Sequence, residues 1–297
     1  MKIVSLLPSA TEIVFALGSG DQLIGRSFEC DFPIEARGVP IVSGTALPAD
    51  GLLSAAEIDA AVSERIAAGE SIYRLDVEAI RREQPDVILA QDLCEVCAVP
   101  SGAVTEALEV IGCSAQVVSL DPTNLDEVLA CVWQVGTAIG RTAEADALME
   151  SLRQRVEVVR DAVCDETPRR VFALEWSDPP FSAGHWVPDM IAAAGGSSLI
   201  ARSGDRSARL DWERIAVEDP QVVVFMPCGY RLDRAVEEGM ALLDRPELRG
   251  AEIWATWADA YFSRPGPRVV DGVEILAGVL HPGAVGPPDT SRAVRLR

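Results

Sequence analysis

EAIRREQPDVILA (residues 78–90) decides the fold, because ERIAVEDPQVVVF (residues 213–225) repeats its plan later in the chain. Each stretch opens on a glutamate, runs as a short helix, stops at a proline and continues into a buried β-branched strand. Proline cannot continue a helix, and an unbroken run of Val, Ile, Leu or Phe is what a strand covered on both faces requires. Two copies of one helix–proline–strand module predict two lobes built on one plan.

Working outward, strand candidates fall at residues 2–7, 22–25, 86–90 and 115–119, then at 170–174, 221–226 and 252–256. Helical patterns separate them, which indicates α/β layering. Between the halves, apolar residues recur at helical spacing: Leu125, Val128, Leu129, Val132, then Leu148, Leu152, Val156, Val159 and Val163. Pro122 and Pro168 bracket this stretch, Gly140 is a point of breakage, and Thr142 is a fresh N-cap. The expected fold class is therefore α/β, with two Rossmann-like lobes bridged by a long rigid helix. The expected domains are residues 1–123, a helical connector at 124–167, and a second lobe at 168–297. Residues 281–297 carry prolines and no core pattern, and are expected to form a loose surface tail.

Composition excludes several classes. The 297 residues are 48% hydrophobic and 24% charged, an ordinary globular mixture. Asp plus Glu total 46 against 26 Lys plus Arg, a net charge of −20, which argues against nucleic acid and against an anionic membrane surface. No apolar run reaches the roughly 18–20 residues of a membrane span. MKIVSLLPS passes directly from Met1 into a strand-like run too short for a signal-peptide core, so the chain is expected to be cytoplasmic, or periplasmic or extracellular if a leader has been removed. Seven scattered cysteines read as reduced thiols rather than a disulfide framework. There is no GxGxxG after the first strand, no GxxxxGK[ST], no HExxH and no GxSxG. Two histidines leave little for acid–base work, so no catalytic residue and no required cofactor are expected.

The residues able to carry chemistry cluster after strands. Ser9 and Glu12 have capping-box spacing and start a helix at the ligand-facing end of the first strand. Cys94-x-x-Cys97, Cys30 in FECDFP and Cys228 in MPCGY all follow strands, whereas Cys113, Cys131 and Cys164 read as buried small hydrophobes. Cys30, Cys94 and Cys97 are expected close together, with no disulfide between Cys94 and Cys97. A zinc site would want a second close pair, so packing or ligand contact ranks above a metal held by these three, and redox chemistry ranks last. In the second half, Trp176, Phe181, His185 and Trp186 share one strand-end stretch, and Trp257, Tyr261, Phe262 and Arg264 share another. Trp212 opens the helix holding Glu213. These aromatics form either a platform for a large flat ligand or a satellite hydrophobic cluster.

IVSLLPSATEIVFALGSGDQLIG, FECDFP, PDVILAQDLCEVC, the middle helix and DPPFSAGHWVPDMIAAAGG together resemble the vitamin B12-binding substrate-binding proteins of ABC transporters, over about residues 2–280. The missing export signal, the CxxC pair and an extra helical segment near residues 52–69 resemble a signal-less, cytoplasmic cobalamin-binding subfamily. The resemblance implies a monomer that binds cobalamin or a related corrinoid between its lobes without catalysis. It places ligand contacts at Glu29, Cys30, Asp31, Phe181, His185, Trp212, Tyr261, Phe262 and Arg264, to which the strand-end reading adds Ser9, Cys94, Cys97, Trp176 and Trp186. It also matches Glu78 and Glu213 to glutamates that dock on a permease, a partner that the subfamily's features put in question. The rival readings are metal or metal-chelate binding through Cys30, Cys94 and Cys97, and a corrinoid-modifying enzyme.

Overall fold

The computed structural model describes residues 1–46, 54–68, 72–92, 101–111 and 113–297. Strand β1 (Ile3–Ser5) leads into helix α1 (Pro8–Ala16), followed by β2 (Leu23–Ser27), β3 (Ile41–Thr45), α2 (Ala55–Ala67) and β4 (Tyr73–Leu75). Then come α3 (Val77–Glu83), β5 (Val87–Ala90), α4 (Ser101–Ile111) and β6 (Gln116–Ser119). These strands form a sheet in the order β4-β3-β2-β1-β5-β6, parallel except for β4 against β3. Val4, Leu6, Val42, Ile80, Ile88, Val104 and Leu108 pack together as its core. Gly25 sits where a Cβ would come within 2.8 Å of Val42, so only glycine lets β2 and β3 pack this closely.

Two helices occupy the expected connector, α5 (Leu125–Ala138) and α6 (Thr142–Val163). The break falls at Gly140, whose φ of +71° is the left-handed conformation that glycine adopts freely. The carbonyl of Arg141 accepts the first bond of α6, from Ala145, at 3.0 Å. The chain divides into two units inside both helices: residues 1–122 with 129–150, and residues 123–128 with 151–297.

The second unit continues with β7 (Arg169–Ser177), β8 (Pro180–Ser182), α7 (Val187–Ala193), β9 (Gly196–Ser198), β10 (Ala208–Arg209), α8 (Trp212–Val217) and β11 (Val222–Phe225). It ends with α9 (Leu232–Gly239), β12 (Glu252–Thr256), α10 (Ala258–Tyr261), α11 (Val269–Leu280), α12 (Pro282–Val285) and β13 (Ala293–Arg295). Its sheet runs β10-β8-β7-β11-β12-β13, with β9 also paired to β7. The centre, β7-β11-β12, is parallel, and β11 is fully buried, as its unbroken VVVF predicts. Phe172, Leu174, Ile215, Val223, Phe225, Leu248 and Ile253 fill one face. Both units are thus α/β layers around a parallel centre.

Three expectations are corrected. Residues 281–297 are not loose: α12 and β13 lie within them, and β13 pairs antiparallel with β12 through Thr256↔Ala293 and Trp254↔Arg295. The guanidinium of Arg297 donates to the carbonyls of Ala251, Leu243 and Leu248, tying the last residue to the lobe. Ser9 does not cap α1. Leu7 is the cap residue and Pro8 the first helical residue, since a proline has no N–H to leave unsatisfied there. Cys164 is exposed just beyond the end of α6, unlike buried Cys131 and half-buried Cys113.

Candidate functional site

In the first unit, the edge beyond the C-terminal ends of β1 and β2 is a closely bonded polar cluster. Cys30 is fully buried, with Sγ 3.0 Å from the Thr11 hydroxyl, which in turn lies 2.9 Å from Ser5 Oγ. Ser9 and Glu12 are buried in the first turns of α1. Glu29 accepts a bond from the Tyr73 hydroxyl at 3.4 Å, and Asp31 pairs with Arg37 at 3.7 Å inside its own loop. Phe28 and Phe32 of the same loop are exposed.

One residue that sequence reasoning missed holds this loop in place. Arg26, on β2 and 7% exposed, donates to the carbonyls of Ser27 and Val39 at 3.0 Å, Arg37 at 3.3 Å and Phe28 at 3.4 Å. The guanidinium fork satisfies both ends of the loop from beneath. The sequence signal was an arginine inside the strand-like LIGRS, where a cation needs a buried role.

Cys94 and Cys97 lie outside the described residues, so their expected proximity to Cys30 lies there too. Among the described residues, no group of three His, Cys, Asp or Glu side chains is placed to hold a metal ion.

In the second unit, the corresponding edge is aromatic. Trp176 on β7 meets Tyr230 edge to face, with centroids 5.4 Å apart, and Phe181 faces Trp176 across the β7–β8 hairpin. Leu174 faces Ser182 while Trp176 faces Phe181, so Glu175 is the extra residue of a bulge. Burial holds the Glu175 carboxyl above its usual range, with the Ser207 side chain opposing the shift. Burial, followed by Arg206, pushes the His185 imidazole below its usual value. His185 has a φ of +53°, a left-handed conformation that its neighbours impose. Its N–H donates to the Asp205 carbonyl at 2.6 Å, and its own carbonyl accepts from Gly204 at 3.1 Å. Gly184 allows this approach, since a Cβ there would lie 2.3 Å from the Asp205 carbonyl.

Beyond β11 and β12 the rings continue. Trp257 and Tyr261 pack edge to face at 5.8 Å. Burial, with Glu238 adding to it and Arg234 opposing, raises the Tyr230 hydroxyl well above its usual value. Several predicted residues are interior. Phe262 is 2% exposed and Trp186 6%, and the Trp186 indole N–H donates to the Phe262 carbonyl at 2.8 Å. Arg264, 9% exposed, is committed to Asp259 through two bonds of 3.0 and 2.8 Å. Trp212 is half-buried against the core, with the Arg245 guanidinium 4.5 Å from its ring. Glu78 and Glu213 are exposed second residues of α3 and α8. Cys228 is exposed, and buried His281 bonds to the Gly195 carbonyl through Nε2 at 2.9 Å.

The structure therefore gathers Trp176, Phe181 and Tyr230 at one end of the aromatic edge, and Trp257 and Tyr261 at the other. Sequence reasoning missed Tyr230, although it lies only four positions beyond the predicted strand at 221–226.

Two α/β lobes linked through the two middle helices define the architecture of the helical-backbone solute-binding proteins. The family described as periplasmic binding protein matches residues 3–250, and the chain belongs to it. A vitamin B12-binding protein of Yersinia pseudotuberculosis serotype O:3 (strain YPIII) is 24% identical over 272 residues, 91% of this chain and 82% of that protein. Among solved structures, the periplasmic vitamin B12-binding protein BtuF of Vibrio cholerae superposes with a TM-score of 0.67 at 22% identity, covering 93% of this chain and 94% of that one. A periplasmic heme-binding protein from Pseudomonas aeruginosa gives 0.71 at 20% identity, covering 99% and 97%. The structural likenesses show the fold.

Proposed function

We propose that this chain is a non-catalytic binding protein for cobalamin or a related corrinoid, held against the strand-end loops. The observation that carries the reading is the aromatic edge of the second unit, where Trp176, Phe181, Tyr230, Trp257 and Tyr261 follow three neighbouring strands. The rings of Trp176, Phe181 and Trp257, half-buried at strand ends and backed by the buried Tyr230 and Tyr261, suit the face of a large flat ligand, and α/β folds bind ligands at this edge. The family and its vitamin B12-binding relatives support the ring chemistry.

Calorimetry against cobalamin, cobinamide and haem in parallel tests the reading. A corrinoid is expected to bind more tightly than haem, and Phe181→Ala should weaken that binding by about 1–3 kcal/mol. Absence of corrinoid binding at any accessible concentration would overturn it. A permease partner is a second step of the same reading, favoured by the matching exposed positions of Glu78 and Glu213. Its test is co-purification of the permease with the wild-type chain and loss of the complex when both glutamates become alanine.

A further inference from the structure

We propose that helix α2 is part of the ligand site: its Ile58 and Val62 face covers the bound corrinoid at the strand-end edge of the first unit and must move aside for release. The inference rests on the corrinoid reading above and adds the element that controls the ligand's exit.

The chain on either side of α2 sets its place. β3 and β4 pair antiparallel through Thr45↔Tyr73 and Ser43↔Leu75. One residue further on, the Ala46 N–H donates to the Ile72 carbonyl at 2.7 Å. The stretch carrying α2 therefore leaves and re-enters the sheet at one point, beyond the C-terminal end of β3. Because β3 runs parallel to β2, that point lies on the same edge as the loop after β2. The root of the insertion touches this loop. The ring of Tyr73 is centred 6.3 Å from that of Phe28, and its hydroxyl donates to Glu29 at 3.4 Å. Phe28 and Phe32 of the loop are exposed. Exposed rings at the edge where α/β folds bind ligands suit an apolar surface laid on them.

The helix itself is built to stand clear of the sheet. The Ser54 N–H and hydroxyl donate to Glu57 at 2.8 and 2.7 Å, and the Glu57 N–H donates back to Ser54 Oγ at 3.4 Å. This reciprocal cap starts the helix from its own residues. Ile58, Ala61, Val62 and Arg65 are half-buried and recur at the spacing of one helical face, whereas Ala56, Glu57, Ala60, Ser63 and Glu64 are exposed. Among the described residues, the core of the first sheet and the apolar side chains packed on it include none from α2. A helix of 13 residues is marginal on its own bonds and draws stability from what its apolar face packs on. The insertion is also far longer than a connection between paired strands requires, which is the mark of a loop that covers or binds. A ligand resting on the loop after β2 supplies the surface that the sheet's core does not.

A cover of this kind acts on dissociation more than on association, because the ligand leaves only after the helix does. The test uses cyanocobalamin and reads its release by stopped-flow tryptophan fluorescence. In a variant whose residues 47–71 are replaced by the two-residue turn Asn-Gly, which suits a hairpin, dissociation should accelerate about tenfold or more. On the full chain, Ile58→Ser combined with Val62→Ser should accelerate it in the same direction. Ala56→Ser combined with Ala60→Ser, on the exposed face, should leave it unchanged, so that loss of helix propensity is told apart from loss of the covering face. Cyanocobalamin should also slow hydrogen exchange in residues 55–67. The serine pairs keep the test decisive if the shortened chain does not fold. Release within about twofold of the wild type in the turn variant, or equal effects of the two serine pairs, overturns the cover while the corrinoid reading stands. If neither cyanocobalamin nor cobinamide binds the full chain, the corrinoid reading fails and the cover with it.

Discussion

The helix–proline–strand module of the first unit and that of the second are the same solution reached with different side chains. α3 ends at Gln84 with a φ of +48°, and the turn after α8 has Asp219 at +47°, each immediately before the proline. Asp86 accepts the Lys2 backbone N–H through its carboxylate at 2.7 Å, and Gln221 accepts that of Arg170 through its amide oxygen at 2.8 Å. The backbone N–H groups of Asp86 and Gln221 donate back to the Lys2 and Arg170 carbonyls at 2.8 and 3.0 Å. The same residues then accept from Gln116 and Glu252 on the next strands, both at 2.9 Å. Beyond the strand the likeness ends. The first unit passes from Ala90 to Gln91, whose amide donates to the Leu120 carbonyl. The second passes from Phe225 through Met226 to Tyr230 and its ring partners. The module sets the scaffold, and the residues just past it set the chemistry of each edge.

The strongest way to break this comparison is at Phe225, which stands where the first module has Ala90. Phe225 is fully buried, so Phe225→Ala leaves a cavity where the first unit was built without the ring. A loss of about 3–5 kcal/mol is expected from urea unfolding. A loss under about 1 kcal/mol would mean that the two modules tolerate the same small residue, and that the second core does not depend on the ring.

Next in size is Arg26→Met. The first unit needs this pin because a long loop returns from β2 to β3, while the second unit closes β7 onto β8 by a tight hairpin. The substitution strands four carbonyls around the loop, and should cost about 2–4 kcal/mol. Hydrogen exchange should accelerate in residues 28–39 before it does elsewhere. Uniform acceleration over the unit would show that Arg26 supports the core rather than the loop.

These two residues also show what the sequence could reveal. Strands β5 and β11 were legible because their buried β-branched runs leave no alternative to a covered strand. Strands β3, β4 and β8 to β10 were not read as strands: they carry no continuous buried apolar run and are defined by pairing to their partners rather than by their own pattern. The same holds for β13, where Ala293 and its neighbours acquire order only by docking on β12. At the candidate site, Trp176 and Tyr261 were found because aromatics at strand ends stand out. Which rings are spent on the interior depends on distant contacts, such as the Trp186 bond to Phe262.

A smaller effect sharpens the likeness itself. Left-handed backbone costs a residue with a side chain about 1–2 kcal/mol relative to glycine. Gln84→Gly and Asp219→Gly should each therefore stabilise, by up to about 1 kcal/mol once the extra freedom of the unfolded chain is counted. Gln84 gives up an exposed bond from its amide to the Arg81 carbonyl, and Asp219 gives up an exposed pair with Arg170. Such exposed contacts contribute about 0–1 kcal/mol, so the two gains should agree to within that margin. Opposite signs in thermal unfolding would show that the shared φ hides two different local balances.

The smallest expected effect is a dependence on pH that belongs to the second unit's edge. Burial raises Glu175, so the folded carboxyl keeps its proton where the unfolded one has lost it. Its contribution is fully present below the ordinary glutamate range, and is lost as pH rises through the folded value. Burial and Arg206 lower His185, so the folded imidazole stays neutral where the unfolded one has gained a proton. That contribution is present above the ordinary histidine value of 6.5, and is lost as pH falls towards the folded value. Between the two ordinary values the slopes oppose each other and partly cancel in the wild type. Glu175→Gln removes the falling slope. The variant should gain on the wild type as pH rises from 4.5. His185→Gln removes the rising slope, so its stability relative to wild type should improve as pH falls below 6.5. Chemical denaturation at half-unit pH steps resolves the two signs. A Glu175→Gln variant that tracked the wild type throughout would show that the bulge leaves this carboxyl in contact with water, as the open loop of the first unit leaves Asp31.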